Sequence, residues 1–242
     1  MGKSSVSIYI HSVFLGIRKQ GVVETISMIV IALLDLFEDK LKGIKAHEFV
    51  DTKAVKKEHE SAPFANFYQP VRSIPFRLLL KKLNLTPTGS FVDIGAGTGK
   101  AMLLAYDYGF KKVRGIELVE ELVVLAELNR ITKGLSVDSY ECIVGDALNF
   151  EFRADDQIYF FNDPFSDEVF SKILQKLMTF SLEKNLSPFI IYKNNSRRDI
   201  SSFKKLAQLG DYKNINIMGN NFEIISFLDK EIKLLPDRWP DH

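Results

Sequence analysis

The stretch that most constrains this chain is Phe91-Val92-Asp93-Ile94-Gly95-Ala96-Gly97-Thr98-Gly99-Lys100. An apolar run carrying one acid passes through three alternate glycines and enters the helical pattern Ala101-Met102-Leu103-Leu104-Ala105. This reads as a buried strand, a tight turn and a helix N-terminus. Glycine reaches backbone conformations closed to other residues, and the start of a helix has N–H groups without helical partners. In open α/β sheets such turns lie at the carboxyl ends of strands, where ligands bind. Spacing separates the ligands. A phosphate-binding loop needs a glycine five residues before the Gly-Lys pair and Ser or Thr after it, but Ile94 and Ala101 stand there. The dinucleotide fingerprint wants its third glycine one place later than Gly99.

Around this turn, strand-like and helix-like patterns alternate. The spacing predicts strands at 90–94, 112–117, 139–144, 157–162 and 188–193, and helices at 99–108, 119–132, 167–183 and 199–209. Gly109, Gly134 and Gly210 fall where helices should stop, as glycine does at C-terminal caps. Upstream, an amphipathic helix over 71–83 places Val71, Ile74, Leu78 and Leu79 on one face, with Pro75 tolerated in its first turns. Downstream, Tyr212–Met218 and Phe222–Leu228 are joined by Gly219-Asn220-Asn221, which predicts a hairpin with a three-residue connection.

The N-terminal region, residues 1 to about 45, reads as two helical segments broken near Gly21 and ended at Gly43. Residues 22–37 are the most hydrophobic part of the chain, yet Glu24 and Asp35 bracket only a short apolar run, too short to span a bilayer. The expectation is a helix buried against the domain or a partner subunit, with peripheral membrane contact as the other option. Residues 47–70 lose periodicity but keep several aromatics, the pattern of a functional loop.

Composition narrows the function classes. Lys and Arg total 32 against 31 Asp and Glu over 242 residues, a balance that does not favour a nucleic-acid partner. Cys142 is the single cysteine and His11, His47, His59 and His242 are scattered, so no zinc spacing arises and no metal is expected. One cysteine permits no internal disulfide, which suits a reducing, cytoplasmic setting. Cys142 lies in an apolar run and reads as core.

Ligands in a doubly wound sheet meet the strand ends, here Asp93, Glu117, Asp146 and Asn162-Asp163. Asp146 and Asp163 also have a purely structural reading as helix N-caps.

The segments VDIGAGTGK, GIEL, GDAL and FFNDPF stand in the order and approximate spacing of the motifs of class I S-adenosylmethionine-dependent methyltransferases, which the chain resembles. With Val50-Asp51-Thr52 and Tyr68-x-Pro70 upstream, residues 47 to 228 also resemble a group of uncharacterised bacterial methyltransferases distantly akin to the non-SET protein lysine methyltransferases. That group usually has Asn-Pro-Phe where this chain reads Asn162-Asp163-Pro164-Phe165, and a Thr after Pro70 where this chain reads Val71-Arg72-Ser73.

The resemblance implies a Rossmann-like seven-stranded sheet, mostly parallel with a C-terminal antiparallel hairpin, and an N-terminal helical extension. The implied segments are the extension at 1–46, a connecting loop and helix over the cofactor site at 47–89, the S-adenosylmethionine-binding domain at 90–230 and a tail at 231–242. S-adenosyl-L-methionine is the implied cofactor. Gly95, Ala96, Gly97 and Gly99 would pack along its methionine part, and Asp93 would orient its amino group. Glu117 would accept from the ribose hydroxyls, with Leu118 on the adenine. Asp146 would accept from the adenine amino group, with Ala147 lining the ring. Asn162 and Asp163 would hold the acceptor, Asp163 serving as a base for an oxygen acceptor. Tyr68 would join them in catalysis. Phe67, Phe165, Tyr192 and Asn194 would contact the substrate, a protein or a small molecule. Two other readings are weighed against the enzyme. One is a non-catalytic cofactor-binding protein using its N-terminal helices as an interface. The other, a nicotinamide-dependent dehydrogenase, is disfavoured by the glycine spacing and the hairpin.

Overall fold

The computed structural model describes residues 22–48, 68–194 and 210–227. The expected helical segment before Gly21, the helix at 199–209, Phe67, most of the loop at 47–70 and the tail lie outside the described residues.

The alternation predicted around the glycine turn is present. In chain order the elements are α1 (Val22–Leu41), α2 (Ser73–Leu83), β1 (Ser90–Ile94), α3 (Lys100–Tyr108), β2 (Val113–Glu117), α4 (Glu120–Thr132) and β3 (Tyr140–Val144). They continue with a 3-10 turn (Ala147–Asn149), β4 (Asp156–Phe161), α5 (Asp167–Lys184), β5 (Phe189–Lys193), β6 (Gly210–Ile217) and β7 (Asn220–Phe227). The strands form one seven-stranded sheet in the order β3-β2-β1-β4-β5-β7-β6. The first five run parallel, and β7 is antiparallel to both β5 and β6. Only β7 is therefore reversed.

Strands buried on both faces read as continuous apolar runs, and β1 and β5 are buried at every position. Alternate residues feed two cores. Phe91, Phe160 and Ile191 face the side covered by α2 and α3, while Val92, Tyr159, Phe161 and Ile190 face α5. Arg114 of β2 reaches Asp156 of β4 with two hydrogen bonds of 2.8 and 2.9 Å, tying together the two neighbours of β1.

Two local expectations change. The buried face of α2 is Phe76, Leu79, Leu80 and Leu83, while Ile74 and Leu78 are half-buried. The i, i+3, i+4, i+7 pattern starting at Phe76 is the one that meets the sheet. Pro75 sits in the first turn, as expected. The hairpin connection is two residues, not three: Ile217 pairs with Asn220, leaving Met218 (φ 51°) and Gly219 (φ 79°) as the turn. Two left-handed residues in succession match the twist of the flanking strands.

The sequence reading places α1 against the domain or a partner subunit. The face it turns to the domain is mostly polar: Thr25, Asp35 and Asp39 are buried there with Ile31, while Ile26, Leu33 and Phe37 are exposed. Lys100, the first residue of α3, places its ammonium 2.8 Å from Asp35 and 2.6 Å from Asp39. Asp35 also accepts the backbone N–H of Ser73 at the start of α2. Burial raises the Asp35 pKa, but the hydrogen bond and charge of Lys100 outweigh it and leave the group below its ordinary value. Glu38 is held at about 2, chiefly by its hydrogen bonds from Arg77. Charge pairing thus fixes this helix to the starts of α2 and α3, with Ile31 as its buried apolar residue.

Candidate active site

The sheet order reverses between β1 and β4, and the residues ending β1, β2 and β4 gather at that switch point. The glycine turn is shaped by three close approaches. A Cβ on Gly95 would lie 2.6 Å from Pro164, one on Gly97 2.1 Å from the Tyr68 ring, and one on Gly99 1.7 Å from the Tyr140 hydroxyl. All three glycines have positive φ. The turn is therefore clamped between Tyr68 and Pro164, and a ligand would meet its backbone rather than side chains.

Asp93 is 2% exposed, and its Oδ1 has no hydrogen-bond partner. Burial, and then the neighbouring Glu117 charge, push its pKa well above the carboxylate range. Glu117, ending the adjacent strand, accepts N–H bonds from Gly97 (2.8 Å) and Val119 (3.0 Å). Burial raises its pKa too, against those backbone bonds. Two carboxylates thus converge beside a glycine turn with incomplete compensation. Such a pair calls for a cation or several hydrogen-bond donors.

The other expected residues fall into place around them. Gly95 and Ala96 both donate their N–H to the carbonyl of Ile116. Leu118 is half-buried beside Glu117, and Ala147 is buried. Asp146 caps the 3-10 turn, accepting from Leu148 N at 2.9 Å, so its structural reading holds. Asp163 does not cap α5, a position taken by Ser166. It adopts φ 50° and accepts the Tyr192 hydroxyl at 2.7 Å. A non-glycine residue in the left-handed region beside a ligand site is a recurrent mark of function. Asn162 donates Nδ2 to the carbonyl of Gln69 at 2.6 Å, linking the end of β4 to the chain before α2.

The aromatic wall expected from Phe165 and Tyr192 is not an open one. Both rings are buried in the α5-side core, Tyr192 against Phe161 and Phe170. What Tyr192 offers the site is its hydroxyl, through Asp163. Asn194 is not at an exposed rim: it is 4% exposed and donates to Glu223. The reason is that β5 continues in register with β7 through Lys193, carrying Asn194 under the hairpin. Tyr68 lies with its ring on Gly97 and its hydroxyl on Ala46 O (2.9 Å) and Thr98 (2.8 Å). Burial raises its pKa, which suits a strut better than a proton carrier.

Sequence reasoning missed the supports behind the turn. Asn129 of α4 is fully buried, donates to Thr98 O at 3.0 Å and accepts from Lys45 N at 2.7 Å. Lys100 and its partners Asp35 and Asp39 were missed as well. The available signal was the pair of acids Asp35 and Asp39, four residues apart and so on one face of the helix. Asp35, Asp39 and His47 lie close enough to hold a metal ion, but the Lys100 ammonium already occupies the place between the two carboxylates. Cys142 is packed against the core and burial raises its thiol pKa.

This sheet order, with its single reversed strand and a glycine turn at the switch point, defines the fold of the class I S-adenosylmethionine-dependent methyltransferases. Residues 50–158 match the family model described as histone methylation protein DOT1. No curated protein sequence matches the chain. Solved structures agree on the fold. TrmN from Thermus thermophilus gives a TM-score of 0.52 at 15% identity, covering 65% of this chain and 49% of that one. An RNA methyltransferase from Salinibacter ruber, in complex with S-adenosyl-L-homocysteine, gives 0.50 at 18% identity, covering 72% and 100%. A provisionally assigned S-adenosyl-L-methionine-dependent methyltransferase from Methanococcus maripaludis gives 0.50 at 15%, covering 66% and 86%.

Proposed function

We propose that this protein is an S-adenosylmethionine-dependent methyltransferase that transfers a methyl group by in-line displacement to a nitrogen or oxygen acceptor, a protein lysine or a small molecule. The observation that carries the reading is the pair of the buried Asp93 and the half-buried Glu117 flanking the glycine turn, with one Asp93 oxygen unpartnered. The amino group of the cofactor's methionine part is a cation with several donors, and its ribose supplies two more hydroxyl donors. These are what the two carboxylates lack, so the residues fit the group. A carboxylate has about four acceptor sites, so Glu117 can serve the ribose while keeping its bonds to Gly97 and Val119.

When bound, the cofactor supplies a methyl group already activated by its sulfonium. The protein's task is therefore proximity and orientation. Asp93 would hold the amino group, Glu117 the ribose, and Asp146 with Ala147 and Leu118 the adenine. The backbone of Gly95, Ala96, Gly97 and Gly99 would hold the methionine part. Asn162 and Asp163 hold the acceptor's N–H or O–H. The Tyr192 hydroxyl keeps Asp163 oriented, and for an oxygen acceptor Asp163 takes the proton. Tyr68 keeps the turn in shape. The match to the DOT1 model supports a protein acceptor, and the near-neutral composition fits that choice better than a nucleic acid.

The test is calorimetric titration with S-adenosylmethionine and S-adenosylhomocysteine, followed by transfer assays on lysine-containing proteins and small amines. Glu117→Ala should weaken cofactor binding about 10- to 150-fold, as for loss of a charged hydrogen bond. No binding by a folded wild-type protein would refute the proposal. Binding without transfer to any acceptor would favour a non-catalytic cofactor-binding protein.

A further inference from the structure

The outward face of α1 has no counterpart in the methyltransferase reading. Ile26, Ile29, Val30, Leu33, Leu34 and Phe37 are between 39% and 61% exposed. At 100° per residue they sweep roughly 140° of the helix surface. The acids of the helix between Asp35 and Asp39 are turned away from that face, into Lys100, Arg77 and Lys42. An exposed apolar surface of this continuity marks an interaction site.

We infer that α1 lies in the headgroup region of an anionic lipid surface, with this face inserted and the methyltransferase domain held against the membrane. Two observations select a lipid surface over a second copy of the chain. The first is width. Pairing helix to helix buries a narrow seam, whereas a face of roughly 140° matches a helix half-sunk in a planar interface. The second is charge. Lys40 and Lys45 are exposed at the C-terminal end of the helix, beside Lys42, which pairs with Glu38. The 21 residues before it contain Lys3, Arg18 and Lys19 and neither Asp nor Glu. Basic residues flanking an apolar face complement anionic headgroups. Among the described residues no helix is long and apolar enough to cross a membrane, so α1 rests on the surface. The inference is independent of the cofactor assignment, because the inward face of α1 is fixed by its ion pairs whatever binds at the glycine turn.

The experiment is sedimentation of the full chain with phosphatidylcholine vesicles, with and without about one third phosphatidylglycerol. The protein should pellet with the anionic vesicles and lose most of that binding in high salt. Leu33→Asp with Phe37→Asp should reduce the partition at least about tenfold. Both positions are 61% exposed, so the fold should persist, and an unchanged melting temperature checks this. Lys40→Glu with Lys45→Glu should reduce it about five-fold for each cation lost. Absence of binding to either vesicle, or binding unchanged by the aspartates, overturns the inference. A dimer in sedimentation velocity that the aspartates dissociate, with no vesicle binding, overturns it in favour of a second copy.

Discussion

Replacing Asp93 by Asn separates what the site costs the empty protein from what it gives a ligand. In the wild type one buried carboxylate oxygen has no partner and Glu117 stands close by. A buried polar group left unsatisfied costs about 1–3 kcal/mol, and more if charged. Asparagine removes the charge at nearly constant volume. In a domain of this size 1 kcal/mol moves the melting temperature by about 2–4 °C, so the empty variant should melt about 2–12 °C above wild type at pH 8. The pH dependence has a definite sign. The folded pKa of Asp93 is raised, so the folded state binds the extra proton and its stability falls as pH rises. The advantage of the variant should therefore be absent below the ordinary aspartate range, grow as pH rises through it, and level off above the raised folded value. Scanning fluorimetry across pH 4 to pH 9 reads this directly, at roughly one-unit steps. Affinity should move the other way. Loss of one charged hydrogen bond at about 1.5–3 kcal/mol weakens S-adenosylhomocysteine binding about 10- to 150-fold. A variant that binds the ligand like wild type, or melts lower at pH 8, would refute the reasoning.

Lys100→Met leaves Asp35 and Asp39 buried without their ammonium. Breaking such a pair costs about 3–5 kcal/mol, and the melting temperature should fall by about 6–20 °C. Adding Asp35→Asn should restore part of that loss, and a strictly additive double mutant would deny the coupling. Tyr192→Phe removes the hydroxyl that holds Asp163, at a buried site where the ring is retained. Its cofactor dissociation constant in calorimetry should match wild type, while methyl transfer slows about 3- to 30-fold; an unchanged rate would remove Asp163 from the acceptor side.

The sheet and the cofactor side of the site were legible because their signals are local. Three alternate glycines after an apolar run specify a strand, a turn and a helix start from the backbone demands of ten consecutive residues. Largely apolar runs at 90–94 and 188–193 announce strands covered on both faces, and Gly109 and Gly134 announce helix ends. Asp93 and Glu117 could be picked out because a parallel sheet brings every strand's carboxyl end to one edge. The hairpin was visible too, but not its turn, since Met218, of a residue type that seldom takes a positive φ, supplies the first of its two left-handed positions.

Depth and direction were decided only by the tertiary structure. Periodicity marks α1 as two-faced but does not say which face looks inward. That depends on Lys100, Arg72 and Arg77, far along the chain, offering cations where α1 lands. Tyr192 and Phe165 were visible as aromatics near strand ends. Whether a ring lines a pocket or fills a core depends on what α5 and β7 lay over it, and that no local pattern encodes. Asn129, remote from every motif, acquires its role only when α4 folds back beside Thr98 and Lys45. The sequence by itself determined the order of elements and the acids at the sheet's edge, because those follow from short-range sterics and hydrophobic period. The tertiary structure decided which charges were buried, which apolar face stayed outside and which hydroxyl reached Asp163, because those are set by contacts between residues far apart in the chain.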